Sequence, residues 1–217
     1  MDKHTSALKK GFLLMKELHG ESSPKPKGYH NQYHAMMVAD AVDQLANHYL
    51  RLEKISGDKI KLLKIAAAWH DIVQGYGSPS SEEKSVEFMK ENLLELELDT
   101  SEIEFISASI LSTSYILADN KLVQNVTGED MYSKIIADAD LRVWADDDFL
   151  VFFKGLCEEL SIKPYNSLSP EEIKKALESQ IKIMSNHDWH TDYAHILWDK
   201  KKRENINILK DMLHDLS

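Results

Sequence analysis

The segment from Leu62 to Val73 (LLKIAAAWHDIV) constrains the fold of this chain more than any other stretch. Its apolar residues predict a buried helical segment that ends in the adjacent residues His70 and Asp71. Burying an imidazole beside a carboxylate is unfavourable unless a partner compensates both groups. A metal ion is the usual compensator, because it neutralises the carboxylate and takes a nitrogen from the imidazole. The pair therefore predicts a metal site, provided that the chain supplies further ligands.

The His-Asp dipeptide occurs three times, so its context decides which copy is informative. His214-Asp215 lies near the last residue of the sequence, where side chains are usually solvated. His187-Asp188 lies in a polar segment between two predicted helices, and we interpret it as a turn because it lacks the helical spacing of a metal motif. Only His70-Asp71 closes an apolar helix.

Two other segments place ligand-type side chains beside apolar helices. His30 and His34 lie where a predicted helix begins, and Asp138 and Asp140 interrupt the apolar run KIIADADLRVW. Histidine and aspartate side chains from three helices can converge in a bundle as a mixed nitrogen and oxygen site. Such a site leaves coordination positions for water and substrate, as metal-assisted hydrolysis requires.

Helical signals dominate the rest of the sequence, and no alternating pattern typical of a strand stands out. Capping signals predict helix starts at Asp58, Ser80 with Glu83, Asp99, Ser169 and Thr191. We interpret residues 119–128 as a loop. Because the sequence contains no internal repeat or long linker, one all-α domain is the predicted fold.

Composition excludes several classes of protein. The net charge of −10 over 217 residues argues against nucleic-acid binding, which needs a basic surface. No apolar run approaches the length that crosses a membrane, and one cysteine excludes a disulfide framework. We therefore expect a cytoplasmic protein with a small-molecule substrate. The cluster from Phe149 to Phe153 predicts core or a homodimer face, and the run from Lys200 to Arg203 predicts a solvated helix face.

The order of these residues resembles that of the HD superfamily of metal-dependent phosphohydrolases, over residues 28–145. The resemblance is closest to a small bacterial branch with a YHN…H opening, an NEE-S-A-like stretch and a DADL segment. In this sequence those motifs begin at Tyr29, Ser81 and Asp138, and the C-terminal segment HTDYAHILWDKKKRENI also looks like that branch.

The resemblance implies a single-domain helical bundle of the HD type, with a metal-binding core over residues 28–145 and C-terminal helices over residues 146–217. It implies one divalent transition metal ion (Mn, Fe, Ni, Co or Zn). The ligands would be His34, His70, Asp71 and Asp140. Asp138 is the competing choice for the last ligand. The implied reaction is hydrolysis of a small phosphorylated substrate, such as a nucleotide, by a metal-activated water.

Further roles follow for residues near the implied ligands. Asp71, Glu82 or Glu83 would accept the proton of the attacking water, although acidic residues also commonly open helices. His30 would contact the phosphoryl group or support a ligand, and His190 would line the substrate pocket.

Two departures from the family pattern affect this interpretation. Gln74 occupies the position where some members carry a Glu that positions the attacking water, and an amide cannot act as a base. Tyr115 lies near the place of a histidine found in members with two metals, so the resemblance implies one metal. The alternative is a non-catalytic regulatory HD-type domain that binds a ligand or nucleotide. A third hypothesis is an unrelated all-α scaffold with a hydrogen-bonded His-Asp pair.

Overall fold

The computed structural model describes residues 2–24, 26–74, 80–118 and 121–216. Its helices are α1 (Lys3–His19), α2 (Gln32–Arg51), α3 (Gly57–Trp69), α4 (Ser81–Leu93), α5 (Thr100–Leu111), α6 (Met131–Asp140), α7 (Phe149–Ser161), α8 (Pro170–Asn186) and α9 (Asp192–Asp215). Short 3-10 turns span Leu94–Leu96, Leu141–Ala145 and Tyr165–Ser167. The predicted all-α class is confirmed.

Helix α3 is the centre of the core. It is buried on most of its surface, and it packs against α1, α2, α5 and α6. A helix with so broad an apolar surface is stable only when other helices cover that surface. The end of α3 is therefore held in a fixed place, and the His70-Asp71 pair follows directly. Helices α8 and α9 pack against each other, and α9 also contacts α2.

Most predicted capping signals are confirmed. Ser80 with Glu83, Asp99 with Glu102, and Ser169 with its Glu three residues later all form complete capping boxes. Thr191 caps α9 by accepting a hydrogen bond from a backbone N–H in its first turn. These caps need only residues close in sequence, which is why the sequence predicts them well.

Two predicted features of α3 need correction. The helix begins at Gly57 with Ser56 at the N-cap, so Asp58 lies in the first turn and is not the cap. There an aspartate faces the positive end of the helix dipole without capping it. The helix also ends at Trp69, so His70 and Asp71 lie in the following turn. The Gly and Pro residues of the segment GYGSP (residues 75–79) predict a break before the next helix, and this segment lies outside the described residues.

The structure contains one short hairpin for which the sequence shows no strand pattern. Strands β1 (Tyr115–Ala118) and β2 (Lys121–Gln124) form an antiparallel hairpin, with Tyr115 opposite Gln124. The hairpin includes part of the segment that we predicted to be a loop. Each strand has four residues, which is too short for an alternating pattern to stand out in the sequence.

The predicted solvated face on α9 was wrong at one residue. Lys202 is buried, and its Nζ donates to the His187 backbone oxygen at 2.8 Å and lies 3.0 Å from His187 Nδ1. The rings of Trp144 and Trp189 flank the same ammonium. In the aromatic cluster of α7, Phe149 is in the core. Within the described residues, no helix is long and apolar enough to cross a membrane.

Candidate metal centre

His34 reaches the core because of the way α2 begins. The Asn31 side chain caps the helix by accepting from the backbone N–H groups of Tyr33 and His34. This cap fixes the first turn, and the His34 side chain is completely buried. The Tyr29 ring covers His34, with 4.7 Å between the ring centroids.

His70 presents a defined nitrogen to the interior. Its Nδ1 lies 2.9 Å from the backbone oxygen of Ala67, and a carbonyl oxygen can only accept a hydrogen bond. Nδ1 therefore carries a proton, and Nε2 is the nitrogen available to a ligand. A carbonyl partner of this kind is the usual support for a metal-binding histidine.

Two carboxylates meet the two imidazoles. Asp140 Oδ1 lies 3.2 Å from both His34 Nε2 and His70 Nε2. Asp71 Oδ2 lies 3.0 Å from His70 Nε2 and 3.3 Å from His34 Nε2. All four ligand atoms fall within 4.8 Å of one another. The structure thus brings together the four predicted ligands from α2, the turn after α3, and the last residue of α6.

The charges of this group are mutually dependent. Burial would lower the pKa of His70, but Asp71 and Asp140 raise that pKa well above its ordinary value. Burial would likewise raise the pKa of Asp71, but the charge of His70 holds it well below its ordinary value. Protons on the imidazoles therefore balance the carboxylates, and a cation can take their place by displacing those protons.

The donor set fits a divalent transition metal. Two imidazole nitrogens and two carboxylate oxygens suit Mn, Fe, Co, Ni or Zn, and four protein ligands leave room for water on an ion that takes six. The side chains of His34 and His70 are 0% and 1% exposed, whereas those of Asp71 and Asp140 are 12% and 14% exposed. Solvent therefore reaches the group from the carboxylate side.

Asp138 does not belong to this group. Its carboxylate accepts from the backbone N–H of His190 at 2.8 Å and from the backbone N–H and hydroxyl of Thr191 at 2.9 and 2.6 Å. Burial raises the pKa of Asp138 to about 7, although these three donors act to lower it. Of the two aspartates left open by the sequence, Asp140 faces the histidines.

His30 lies beside the group without joining it. Its ring is perpendicular to that of His34, with centroids 6.2 Å apart. Its Nδ1 lies 2.8 Å from Glu159 Oε2 on α7. Nothing in the sequence near Glu159 distinguishes this residue from an ordinary acid on a helix, and sequence reasoning missed it.

The predicted proton acceptors on α4 do not join the four ligands. Glu83 accepts from the backbone N–H of Ser80 in the capping box and is exposed, and Glu82 is half-buried in the first turn. Gln74 donates from its amide to the backbone oxygen of Asp71 at 2.9 Å. Gln74 thus supports the turn that carries a ligand.

His190 is not one of the four grouped residues. Its Nε2 lies 3.0 Å from Gln124 Oε1 on β2, and burial lowers its pKa. The neighbouring His187 is buried beside Lys202, and burial lowers the pKa of His187 to about 2. This second histidine cluster therefore connects α8, α9 and the hairpin.

Comparison with protein-family models, with curated proteins and with solved structures found no match to this chain.

Proposed function

We propose that this protein is a metal-dependent phosphohydrolase that acts on a nucleotide or another small phosphate ester. One observation carries the proposal: four buried or nearly buried ligands from three parts of the chain converge within 4.8 Å. The resemblance of their order to the HD superfamily supports the same reaction. Because metal sites of this composition retain water and substrate positions, hydrolysis is the chemistry that they suit best.

His34, His70, Asp71 and Asp140 would hold the ion. A bound divalent ion supplies a water of lowered pKa and positive charge for the phosphoryl oxygens. We propose Asp71 as the acceptor of the water proton, because its carboxylate lies on the side of the group that solvent reaches. Glu82 is the alternative acceptor on α4.

The buried walls of the site assist by excluding water and fixing the ligands. Tyr29 covers His34, and the charges of Asp140 and Asp71 add to burial in raising the Tyr29 pKa well above its ordinary value. The Tyr29 hydroxyl therefore stays protonated and can donate to a phosphoryl oxygen. His30 contributes a second polar group on the same side. His190 has no part in this proposal, since its ring and its backbone N–H are engaged by Gln124 and Asp138.

One observation favours a second candidate function, a regulatory domain that binds a metal and a nucleotide without turnover. Gln74 occupies the position of a catalytic Glu in the resembling family, and its amide is bonded to the backbone of Asp71. An amide in that place cannot accept the proton of an attacking water.

The test combines metal analysis with a substrate screen. Purified protein is analysed for transition metals and assayed on nucleotides and small phosphate esters with added Mn²⁺, Fe²⁺, Co²⁺, Ni²⁺ or Zn²⁺. Asp71→Asn should lose both metal and hydrolysis. Asp215→Asn is the matched control, because Asp215 belongs to the exposed His-Asp copy of α9 and should change neither property.

Three other outcomes would overturn the proposed hydrolase function or favour an alternative to it. Protein that holds no metal and hydrolyses no phosphate ester would overturn the proposal. Metal and nucleotide binding without product would support the regulatory domain. Metal content indifferent to His34→Ala would favour a scaffold in which the His and Asp side chains are only hydrogen-bonded.

A further inference from the structure

The carboxylate of Glu159 holds the segment that precedes α2. Glu159 lies on α7 and its side chain is only 6% exposed. One oxygen, Oε1, accepts from the backbone N–H groups of Tyr29 and His30, the latter at 2.8 Å. The other oxygen, Oε2, lies 2.8 Å from His30 Nδ1. Burial would raise the pKa of Glu159, but its bonds to His30 and Tyr29 hold it below the ordinary value.

A second contact fixes the same segment one helical turn away. Gly28 packs directly on Gly155 of α7, so closely that a Cβ on Gly155 would lie 2.4 Å from the Gly28 oxygen. Gly155 precedes Glu159 by four residues, which places both on one face of the helix. The segment is thus attached to α7 at two points, the contact of Gly28 with Gly155 and the hydrogen bonds of His30 and its neighbour to Glu159.

The hydrogen bond to Glu159 determines which nitrogen of the His30 ring carries the proton. An ionised carboxylate can only accept hydrogen bonds, so His30 Nδ1 must donate to Glu159. In the neutral ring Nε2 then carries the lone pair, and this nitrogen is not the one that bonds to Glu159. The ring lies next to that of His34, with 6.2 Å between the centroids.

We propose that Glu159 is a positioning residue that holds His30 as the Nδ1–H tautomer, so that His30 Nε2 accepts a hydrogen bond from the water at the candidate metal centre. This inference rests on the proposed hydrolase function. In this inference His30 and Glu159 orient the attacking water. Gln74 cannot take this role as a proton acceptor, because its side chain is an amide. A carboxylate that fixes the tautomer of a histidine is a recurrent arrangement in hydrolases.

Glu159→Gln separates this role from simple attachment of the segment. The Gln oxygen can keep the two backbone N–H bonds made by Oε1, while its NH₂ group takes the place of Oε2. That NH₂ would donate to His30 Nδ1, which must then become the acceptor. The variant should therefore keep the fold and invert the tautomer, with the proton on Nε2.

The matched control is Glu158→Gln. Glu158 is the neighbouring acid on α7, and its carboxylate accepts from the backbone N–H of Tyr165, away from His30. It tests whether the loss of one negative charge on this helix has an effect of its own.

Two measurements are made on wild type, Glu159→Gln, Glu158→Gln, His30→Ala and the double variant His30→Ala/Glu159→Gln. Imidazole ¹⁵N shifts of the metal-free and Zn²⁺-loaded protein report the His30 tautomer, with His30→Ala identifying the signal. Steady-state kinetics with the active metal and substrate report kcat and KM. We expect Glu159→Gln to invert the tautomer and to lower kcat about 100-fold, with bound metal and KM within about threefold of wild type.

The double variant should be no slower than His30→Ala alone, because Glu159 acts through His30. An Nε2–H tautomer in wild type, or an unchanged kcat in Glu159→Gln with an inverted tautomer, would overturn the inference. Additive losses in the double variant would also contradict it. If wild type hydrolyses nothing, the proposed function fails together with the catalytic role, while the ¹⁵N shifts still decide whether Glu159 sets the tautomer.

Discussion

Asp138 and Asp140 lie two residues apart on α6, yet their carboxylates serve different parts of the molecule. Asp140 meets His34 and His70, whereas Asp138 accepts from the backbone and hydroxyl of Thr191. Successive residues of an α-helix are rotated by about 100° around its axis, so two side chains that are two residues apart point to nearly opposite faces. One aspartate therefore faces the candidate metal centre, and the other connects α6 to the start of α9.

This division predicts opposite effects for two alanine substitutions. Asp140→Ala should weaken metal binding by more than about 100-fold, because it removes a direct ligand. Asp138→Ala should keep the metal but lower the free energy of unfolding by about 3 kcal/mol, because it leaves three donors without an acceptor in a buried place. Calorimetric titration and urea unfolding measure the two effects. If the Asp138→Ala variant is fully folded but no longer binds the metal, this assignment is contradicted.

Addition of a metal should stabilise the protein through the same four ligands. An ion at about 100 times its Kd raises the free energy of unfolding by about 2.7 kcal/mol, provided that it does not bind the unfolded chain. Thermal unfolding of chelator-treated protein, with and without Mn²⁺ or Zn²⁺, measures the shift in Tm. His70→Ala should abolish the shift. His214→Ala, in the exposed copy of the dipeptide, should leave it unchanged.

Mild acid should destabilise the protein through His187. Burial lowers its pKa from 6.5 to about 2 in the folded chain, so between these values the unfolded chain binds one more proton. The contribution of His187 to stability is complete above pH 6.5 and falls by about 1.4 kcal/mol per unit below it, which gives about 2 kcal/mol at pH 5. His187→Gln keeps an acceptor for Lys202 but does not titrate.

Urea unfolding at pH 7 and pH 5 tests this expectation. The difference in unfolding free energy between the two pH values should be smaller in His187→Gln by about 2 kcal/mol. Equal differences in the two proteins would show that another group governs the acid response.

The contact between Gly28 and Gly155 predicts that neither position tolerates a side chain. Gly155→Ala should lower the free energy of unfolding by about 2 kcal/mol, since its Cβ would collide with the Gly28 backbone. Gly57→Ala is the matched control, because Gly57 is also a helical glycine, at the start of α3, but a Cβ there would have its nearest neighbour at 3.8 Å. That change should be neutral or stabilising by about 0.5 kcal/mol. Equal effects of the two substitutions would argue that the close approach is unimportant.

The sequence predicts those features that depend on neighbouring residues or on a repeated spacing. The apolar run before His70, the cap at Ser80 and the position of Asp140 after KIIADA are of this kind. Together with the resemblance to the HD superfamily, the order of the ligand-type residues indicated the four that the structure brings together, with Asp138 left open as the alternative to Asp140.

Features that depend on contacts between distant segments could not be predicted in the same way. Glu159 acts on His30 across 129 residues, and no local pattern distinguishes it. The hairpin strands are stabilised by each other and are individually too short to recognise. Lys202 did carry a signal, because it falls four residues after Trp198 and four before Ile206 on the buried face of α9. Because Lys202 is charged, we nevertheless predicted that it lies on a solvated face.

The uneven exposure of the four ligands has a kinetic consequence. A cation that arrives from solvent meets the oxygens of Asp71 and Asp140 first, and reaches the nitrogens of His34 and His70 only after it has shed water. Binding should therefore be fast and should begin at the carboxylates. Release is slower, because the bonds between the ion and the buried imidazole nitrogens must break first. Ions with little affinity for imidazole, such as Mg²⁺ and Ca²⁺, would pass in and out quickly, and those that prefer nitrogen would remain long enough to survive purification.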